Sequence, residues 1–321
     1  RPGQTLATIT TAVLDGLNQV LTSAHPDLVL VHGDTTTAFT SALASFYHRI
    51  PVGHVEAGLR SFDRYSPYPE EMNRRLISTL ATLHFAATAS NEHNLRREAV
   101  NADAVFVTGN TVIDALRISY DPNYVFRDPV LRTLDFRRRV ILLTCHRRES
   151  LGGPMREVFS AVRDVIARYP DVAVVFPIHK NLAVREAFAE AGIKSDRMHI
   201  TEPLEYDEFL HLMSKSTIVL TDSGGIQEEA PFFGRPVVVA RDVTERTEAI
   251  DAGTVVLAGA NYTGVYAQLT RLLDHDRHYA AMSKANNPYG DGHACERIAD
   301  IIARRYGDGG HPAPGTGKKP S

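Results

Sequence analysis

Apolar positions in the first 118 residues follow two alternating patterns. Between residues 4 and 22, Leu6, Ile9, Val13 and Leu17 recur every three or four positions, which predicts an amphipathic helix. Short apolar runs rich in β-branched residues follow, and such runs are typical of buried parallel strands. We predict strands at 28–32, 52–57, 85–87 and 105–108, and helices at 36–47, 70–83, 91–100 and after 110.

The same alternation resumes after residue 139. It predicts strands at 140–144, 172–177, 198–201, 218–221, 237–240 and 255–258, and later helices at 265–273, 279–284 and 295–306. Repeated strand–helix alternation indicates parallel sheets with right-handed crossovers. The predicted fold class is α/β, with two Rossmann-like doubly wound domains.

Turn-forming pairs and an arginine run interrupt the pattern at residues 119–139, which indicates an interdomain connection. We therefore expect an N-terminal domain at 1–118, joined by the C-terminal helix at 286–306, and a C-terminal domain at 119–285. Residues 307–321, rich in Gly, Pro and Lys, are predicted to form a disordered tail.

Composition narrows the function classes. The 321 residues are 43% hydrophobic and 23% charged, and the net charge of −3 argues against general binding to nucleic acid or anionic membrane. With no long apolar run and no signal peptide at the start, a cytoplasmic location is the default expectation. The two cysteines, Cys145 and Cys295, lie far apart in sequence, and the histidines are scattered without metal-ligand spacing. We therefore expect no metal site and no disulfide.

The stretch Thr221–Ala230 lies where a predicted strand meets a helix. Its two glycines allow a tight turn and close approach of a ligand, and free amides at a helix start favour an anion such as phosphate. Glu229, one helical turn further, could accept hydrogen bonds from a ribose. A Ser-Gly-Gly sequence can also be a simple turn.

Polar sequences also follow the predicted strands at 28–32, 52–57 and 140–144. Ligands of such sheets bind at the carboxyl ends of the strands, and two facing domains would place these ends across a cleft. We expect the chemistry at these strand ends.

Six motifs together resemble the non-hydrolysing UDP-N-acetylglucosamine 2-epimerases, a family with the two-domain GT-B fold. The resemblance spans about residues 2–306, in family order: Val-His-Gly-Asp-Thr-Thr-Thr, His-Val-Glu-Ala-Gly-Leu-Arg, Pro-Glu-Glu-x-Asn-Arg, His-Arg-Arg-Glu, Thr-Asp-Ser-Gly-Gly-Ile-Gln-Glu-Glu-Ala and Asn-Pro-Tyr-Gly-Asp-Gly. It implies interconversion of UDP-GlcNAc and UDP-ManNAc by elimination of UDP to 2-acetamidoglucal and re-addition. It also implies no cofactor, a homodimer and a role in cell-envelope polysaccharide synthesis.

The resemblance implies roles for individual residues. The catalytic group comprises three carboxylates at the sugar and one imidazole near the diphosphate: Asp34, Glu56, Glu70 and His146. Elimination needs a base for the C2 proton, an acid on the opposite face and stabilisation of the leaving diphosphate, and which carboxylate serves which face stays open. The UDP-sugar contacts are Ser223, Gly224 and Gly225 at the phosphates, Glu229 at the ribose, Phe209 and Leu204 at the uracil, and Arg246 and Arg74.

Simpler roles compete with these assignments. Asp34 could serve merely as the cap of the following helix, and Glu56 could have a purely structural role. Glu70 stands in a first helical turn, where acids are favoured in any case. Phe209 could be helix core, and Arg148 could belong to a solvated basic run. Threonine at 247, where the family usually has proline, predicts a looser loop around Arg246.

Family members begin with a strand and a Gly-Thr-Arg-Pro-Glu loop, and this chain starts after that region. That region would supply the first βαβ unit of the N-terminal sheet, so we expect a central strand gap with unpaired backbone groups there. We also expect low epimerase activity and lower stability than a chain with the region restored. The alternatives are a UDP-sugar-binding homologue without turnover, a GT-B glycosyltransferase and a hydrolysing epimerase.

Overall fold

The computed structural model describes residues 4–147 and 150–307. The expectations for Arg148 and for the tail beyond Gly307 therefore lie outside the described residues. The chain divides into two compact units. Unit 1 contains the residues up to Asp114 and those from Tyr289 onward, and unit 2 contains Ala115–Pro288.

Unit 1 is built on a parallel sheet in the order β1-β2-β3-β4. Threonine side chains cap the starts of three of its helices, because Thr5, Thr35 and Thr88 accept hydrogen bonds from backbone amides of the first turn. The elements are α1 (Leu6–Ala24), β1 (Val29–His32), α2 (Thr36–Tyr47), β2 (Val52–Ala57), α3 (Glu70–Leu80), β3 (Leu83–Ala86), α4 (Ala89–Arg97), β4 (Val105–Val107), α5 (Thr111–Ser119, which continues into unit 2) and α14 (Ala294–Tyr306).

Apolar side chains cover both faces of this sheet. Val31 and Val52 pack with Ile77 on the side of α2 and α3. Phe85 packs with Ile298 of α14 on a second side, and the Asp114 carboxylate accepts hydrogen bonds from the first amides of α14. The C-terminal helix is thereby held on the N-terminal sheet.

The four described strands of unit 1 pair continuously, and β1 forms one edge. Leu30 of this strand is 49% exposed. Within the described residues, the unpaired backbone expected for this sheet therefore lies along the outer side of β1 and not between two strands.

Unit 2 contains a six-stranded parallel sheet in the order β10-β9-β8-β5-β6-β7. Its strands run through a large apolar core, in which β5, β6 and β8 are almost completely buried. The elements are α6 (Pro129–Thr133), β5 (Arg139–Thr144), α7 (Gly153–Arg168), β6 (Val172–Pro177), α8 (Leu182–Glu190), β7 (Met198–Thr201), α9 (Tyr206–Lys215), β8 (Ile218–Thr221), α10 (Gly224–Glu229), β9 (Val237–Val239), α11 (Thr247–Asp251), β10 (Val255–Leu257), α12 (Tyr262–Asp274) and α13 (Asp276–Ser283).

The strand order of unit 2 reverses between β5 and β8. Chain progression runs outward from β5 through β6 to β7, and then from β8 through β9 to β10 on the other side. In parallel α/β sheets this switch point opens a crevice at the carboxyl ends of the two strands. The residues following Thr144 and Thr221 are therefore placed at the position where such sheets bind ligands.

The segment 119–139 docks on α9 of unit 2. The Glu208 carboxylate accepts hydrogen bonds from the amides of Arg127 and Asp128, and His211 Nε2 accepts one from the amide of Asp121. The segment also contains helix α6, which was not predicted, although its Asp128 cap followed by proline is a helix-start signal.

Candidate active site

Asp34 lies in the turn between β1 and α2. Gly33 precedes it with φ of +69°, a conformation that suits glycine. The Asp34 carboxylate is 2.7 Å from Nη2 of Arg74, and its carbonyl accepts a hydrogen bond from the Asn73 side chain. Since the side chain of Thr35 caps α2, the interpretation of Asp34 as the helix cap is wrong.

Glu56 occupies a strained position near the end of β2. Its φ is +64°, and the pairing with β3 shifts register at this residue. A left-handed conformation costs a non-glycine residue on the order of 1 kcal/mol, and such strain concentrates at functional sites. Glu56 Oε2 lies 3.5 Å from His32 Nε2, and a Cβ at Gly33 would lie only 3.1 Å from the same oxygen. Gly33 thus lets the Glu56 carboxylate lie against the Asp34 turn.

His54 supports this turn from below. It is fully buried in β2, and its Nε2 is 2.9 Å from the Gly33 carbonyl oxygen. Burial lowers the pKa of His54 to about 3, so the imidazole is neutral and donates to that carbonyl. The sequence motif His54-Val55-Glu56 pointed to this histidine, but the sequence did not predict that it supports the Gly33 turn.

The two acids at the start of α3 differ in environment. Glu71 is fully buried and accepts hydrogen bonds from the amides of Ser61 and Phe62, so it holds the preceding loop. Glu70 is half-buried, and its carboxylate makes no hydrogen bond or ion pair with the described part of the chain. Of the pair, Glu70 has the carboxylate available for a ligand.

Arg74 is 3% exposed and lies within ion-pair distance of both Asp34 and Glu71, at 2.7 and 3.5 Å. This geometry makes it a fixed counter-ion for Asp34. Its predicted contact with substrate stays a prediction.

In unit 2, the switch point joins the ends of β5 and β8. The hydroxyls of Thr144 and Thr221 are 2.6 Å apart. Beyond them, Oδ2 of Asp222 accepts hydrogen bonds of 2.8 Å from the amides of both His146 and Arg147, and Oδ1 lies 3.2 Å from Nδ1 of His146. One buried carboxylate therefore fixes the loop after β5 and lies beside the imidazole that this loop carries.

The pKa of Asp222 is lowered. Burial alone would raise it, but hydrogen bonds from His146 and from the backbone amide of Arg147 outweigh burial. Asp222 is consequently an anion at neutral pH. Sequence analysis did not assign it a role, although it stands within the Thr221–Ala230 motif.

A cavity of about 290 Å³ opens beside His146. Its wall includes Leu204 and Phe209, the residues predicted for the uracil pocket, together with Pro177 and His179. Phe209 therefore lines a cavity instead of filling the core. His179 was missed, although it follows β6 at the same edge of the sheet; its ring lies 5.6 Å from that of His146.

Ser223 precedes the first turn of α10, and its side chain makes no capping bond. A Cβ at Gly224 would lie 2.8 Å from Nη1 of Arg246, and one at Gly225 would lie 3.3 Å from Oε1 of Glu229. The glycines thus allow two charged side chains to lie against the backbone of this turn. A phosphate contact of Ser223, Gly224 and Gly225 stays a prediction.

Arg246 is held by two acids. Its guanidinium is 2.7 Å from Glu228 and 2.5 Å from Glu245. Thr247, where proline was expected, begins α11 directly after it. The arginine is therefore fixed by its neighbours, and its contact with a nucleotide stays a prediction.

Glu229 differs from the other acids of α10. Burial raises its pKa from the ordinary 4.5 to about 7, and its carboxylate has no ion-pair partner among the described residues. A partly buried carboxylate without an ion-pair partner is poised to accept hydrogen bonds from a ligand.

Two further observations bear on the type of site. In residues 4–147 and 150–307, no group of three or more His, Cys, Asp or Glu side chains is arranged to hold a metal ion. Over the same ranges, no helix combines the length and the apolar character that crossing a membrane requires.

Polar side chains at strand ends in unit 1 and a cavity at the switch point in unit 2 are each typical of α/β enzymes. A family model described as UDP-N-acetylglucosamine 2-epimerase matches residues 1–303. The UDP-N-acetylglucosamine 2-epimerase of Bacillus subtilis is 49% identical over 304 residues, which cover 95% of this chain and 79% of that protein.

Solved structures agree. UDP-GlcNAc 2-epimerase from Neisseria meningitidis, crystallised with UDP-GlcNAc, is 44% identical with a TM-score of 0.88, over 95% of this chain and 81% of that one. S. aureus MnaA, solved with UDP, is 48% identical with a TM-score of 0.89, over 94% and 81%. The chain belongs to the UDP-N-acetylglucosamine 2-epimerase family, so the predicted family, the isomerase class and the α/β fold of GT-B type are confirmed.

Proposed function

We propose that the protein epimerises UDP-GlcNAc and UDP-ManNAc at C2 by eliminating UDP to 2-acetamidoglucal and adding it back. The main support is the strained Glu56 carboxylate, which lies against the Asp34 turn at the carboxyl end of the unit 1 sheet. Strain at a non-glycine residue is retained where geometry serves function. The UDP-GlcNAc bound to the Neisseria meningitidis relative supports the same substrate.

Unit 2 would hold the UDP part of the substrate. Phe209 and Leu204 provide an apolar wall for uracil, the carboxylate of Glu229 accepts hydrogen bonds from the ribose, and His146 and the amides of the Ser223 turn meet the diphosphate. The UDP in the S. aureus relative supports this assignment.

Unit 1 would carry the proton transfers. A carboxylate removes the C2 proton while the bond from C1 to the diphosphate oxygen breaks, and the electron pair of that bond leaves with UDP. A second acid then delivers a proton to the other face of C2 as UDP returns. Asp34, Glu56 and Glu70 are the candidates, and their different surroundings suit separate roles as base and acid.

Proton NMR in D₂O tests the reaction. Incubation with UDP-GlcNAc is expected to yield UDP-ManNAc and UDP-GlcNAc that both carry deuterium at C2, because each passage through the glucal exchanges that proton. Free ManNAc with UDP would indicate a hydrolysing enzyme instead. Binding without exchange would indicate a UDP-sugar-binding protein, and transfer of the sugar to an added acceptor would indicate a glycosyltransferase.

We further propose a cytoplasmic homodimer that supplies UDP-ManNAc to cell-envelope polysaccharide synthesis. Both cysteines are free, which suits a reducing compartment. Exposed apolar side chains at Phe62, Tyr65, Tyr68 and Leu76 of unit 1 offer a surface for a second copy. Light scattering should give twice the chain mass, and Tyr65→Ser with Tyr68→Ser should give the monomer mass if this surface is the interface.

A further inference from the structure

The Asp222 carboxylate connects two strand ends that are far apart in sequence. It follows β8, whereas the groups that it contacts, the Cys145 thiol among them, belong to the loop after β5, about 75 residues earlier. Two of these groups are backbone amides, and another is Nδ1 of His146, 3.2 Å from Oδ1. Both amides bond to Oδ2, so Oδ1 is the oxygen that faces the imidazole.

The imidazole of His146 is held at one nitrogen and open at the other. Nδ1 lies 3.2 Å from the fully buried Asp222, while the side chain as a whole is 41% exposed and lines the cavity beside Phe209. Oδ1 of Asp222 is buried and makes no aligned hydrogen bond, and an ionised carboxylate only accepts hydrogen bonds, so a proton on Nδ1 is the form of the ring that suits this contact. Nε2 is then the nitrogen available to a ligand.

We propose that Asp222 is a positioning residue that fixes the Nδ1–H form of His146, so that His146 exchanges its second proton with the diphosphate through Nε2. This inference rests on the proposed epimerase reaction. When the bond from C1 to the diphosphate oxygen breaks, the oxygen gains an electron pair and takes the Nε2 proton of imidazolium. His146 becomes neutral with its proton on Nδ1, Asp222 stays a carboxylate, and re-addition of UDP reverses the transfer.

The discriminating variant is Asp222→Asn. It keeps the size of the side chain and one oxygen for the two backbone amides, but it removes the charge and can donate to Nδ1. The expected result is a fall in kcat of about 10- to 1,000-fold, within the range of general acid–base contributions, with less than about a 3-fold change in KM. A merely structural role would instead impair folding or leave kcat unchanged.

A double-mutant cycle tests whether Asp222 acts through His146. In a His146→Ala background, Asp222→Asn should lower kcat by less than about 2-fold further, because the group that it positions is gone. Multiplicative effects of the two substitutions would overturn the proposal. Glu186→Gln, an exposed change in the same unit, is the control for handling and expression.

Histidine-selective ¹⁵N NMR separates this proposal from the proposed function. The full-length wild type should show His146, identified by its loss in His146→Ala, protonated at Nδ1 above the pH at which the ring becomes neutral. Asp222→Asn should shift it to the Nε2–H form. Protonation at Nε2 in the wild type would overturn the role of Asp222 even if epimerisation occurs, whereas Nδ1–H without C2 exchange would refute only the reaction.

Discussion

Glu229→Gln should make the protein more stable at neutral pH and a weaker binder of UDP. The folded-state pKa of Glu229 is about 7, against an ordinary value of 4.5, because burial opposes its charge. Since the folded pKa is raised, Glu229 costs no stability below pH 4.5, where it is protonated in both the folded and the unfolded state. Stability is lost as the pH rises from 4.5 to 7. At about 1.4 kcal/mol per tenfold change in proton affinity, the full displacement corresponds to about 3 kcal/mol.

Glutamine has nearly the same shape and no charge, so it should recover up to about 3 kcal/mol at pH 7.5 and less than about 1 kcal/mol at pH 5. Urea unfolding at both pH values measures this gain, and the exposed Glu186→Gln should change stability by less than about 0.5 kcal/mol. The difference between variant and wild type at each pH isolates Glu229, because all other titrating groups are shared.

Binding should change in the opposite direction. If the ionised carboxylate accepts hydrogen bonds from the ribose hydroxyls, its replacement should weaken UDP binding by about 10- to 100-fold in calorimetry. The reason is that hydrogen bonds to charged groups contribute about 1.5–3 kcal/mol. A variant that is more stable but binds UDP as well as wild type would refute the ribose contact. A variant that gains no stability at pH 7.5 would refute the account of Glu229 as a partly buried acid without an ion-pair partner.

Two further changes test unit 1. Burial lowers the pKa of His54 to about 3 and that of His84 to about 4. The stability that is present above the unfolded pKa of 6.5 is therefore lost as the pH falls, by about 2 kcal/mol for each histidine at pH 5. His84→Asn should remove about half of this pH dependence in urea unfolding, and an unchanged dependence would contradict the prediction. Gly33→Ala places a methyl group 3.1 Å from the Glu56 carboxylate, at a residue whose φ is positive. It should lower kcat at least about 10-fold and destabilise the folded protein by about 1–2 kcal/mol. Normal turnover would show that this turn is not part of the site.

Local signals predicted much of the fold. Helix α2 at 36–47 and strand β2 at 52–57 have the predicted bounds, because each is a short apolar segment with clear turn or capping residues beside it. The helix predicted to end at residue 83 ends at Leu80, and Leu83 is instead the first residue of β3. Burial within the sheet decided this boundary, and periodicity alone could not locate it.

The site was predicted less completely, for a physical reason. Motif spacing placed Asp34, Glu56 and His146 at strand ends, where the structure has them. The contact of Asp222 with His146 depends on β5 lying beside β8, and that strand order is not encoded by spacing along the chain. Likewise, the strained φ of Glu56 arises from a register shift between β2 and β3 that no local pattern reveals.

The division of labour between the units is tested most directly by comparing UDP binding with C2 exchange in Glu56→Gln. Because Glu56 belongs to unit 1, the variant should bind UDP within about 3-fold of wild type in calorimetry and lose C2 deuterium incorporation by at least about 100-fold. Exchange at the wild-type rate, or a loss of UDP affinity as large as the loss of exchange, would contradict the assignment of UDP binding to unit 2 and of proton transfer to unit 1.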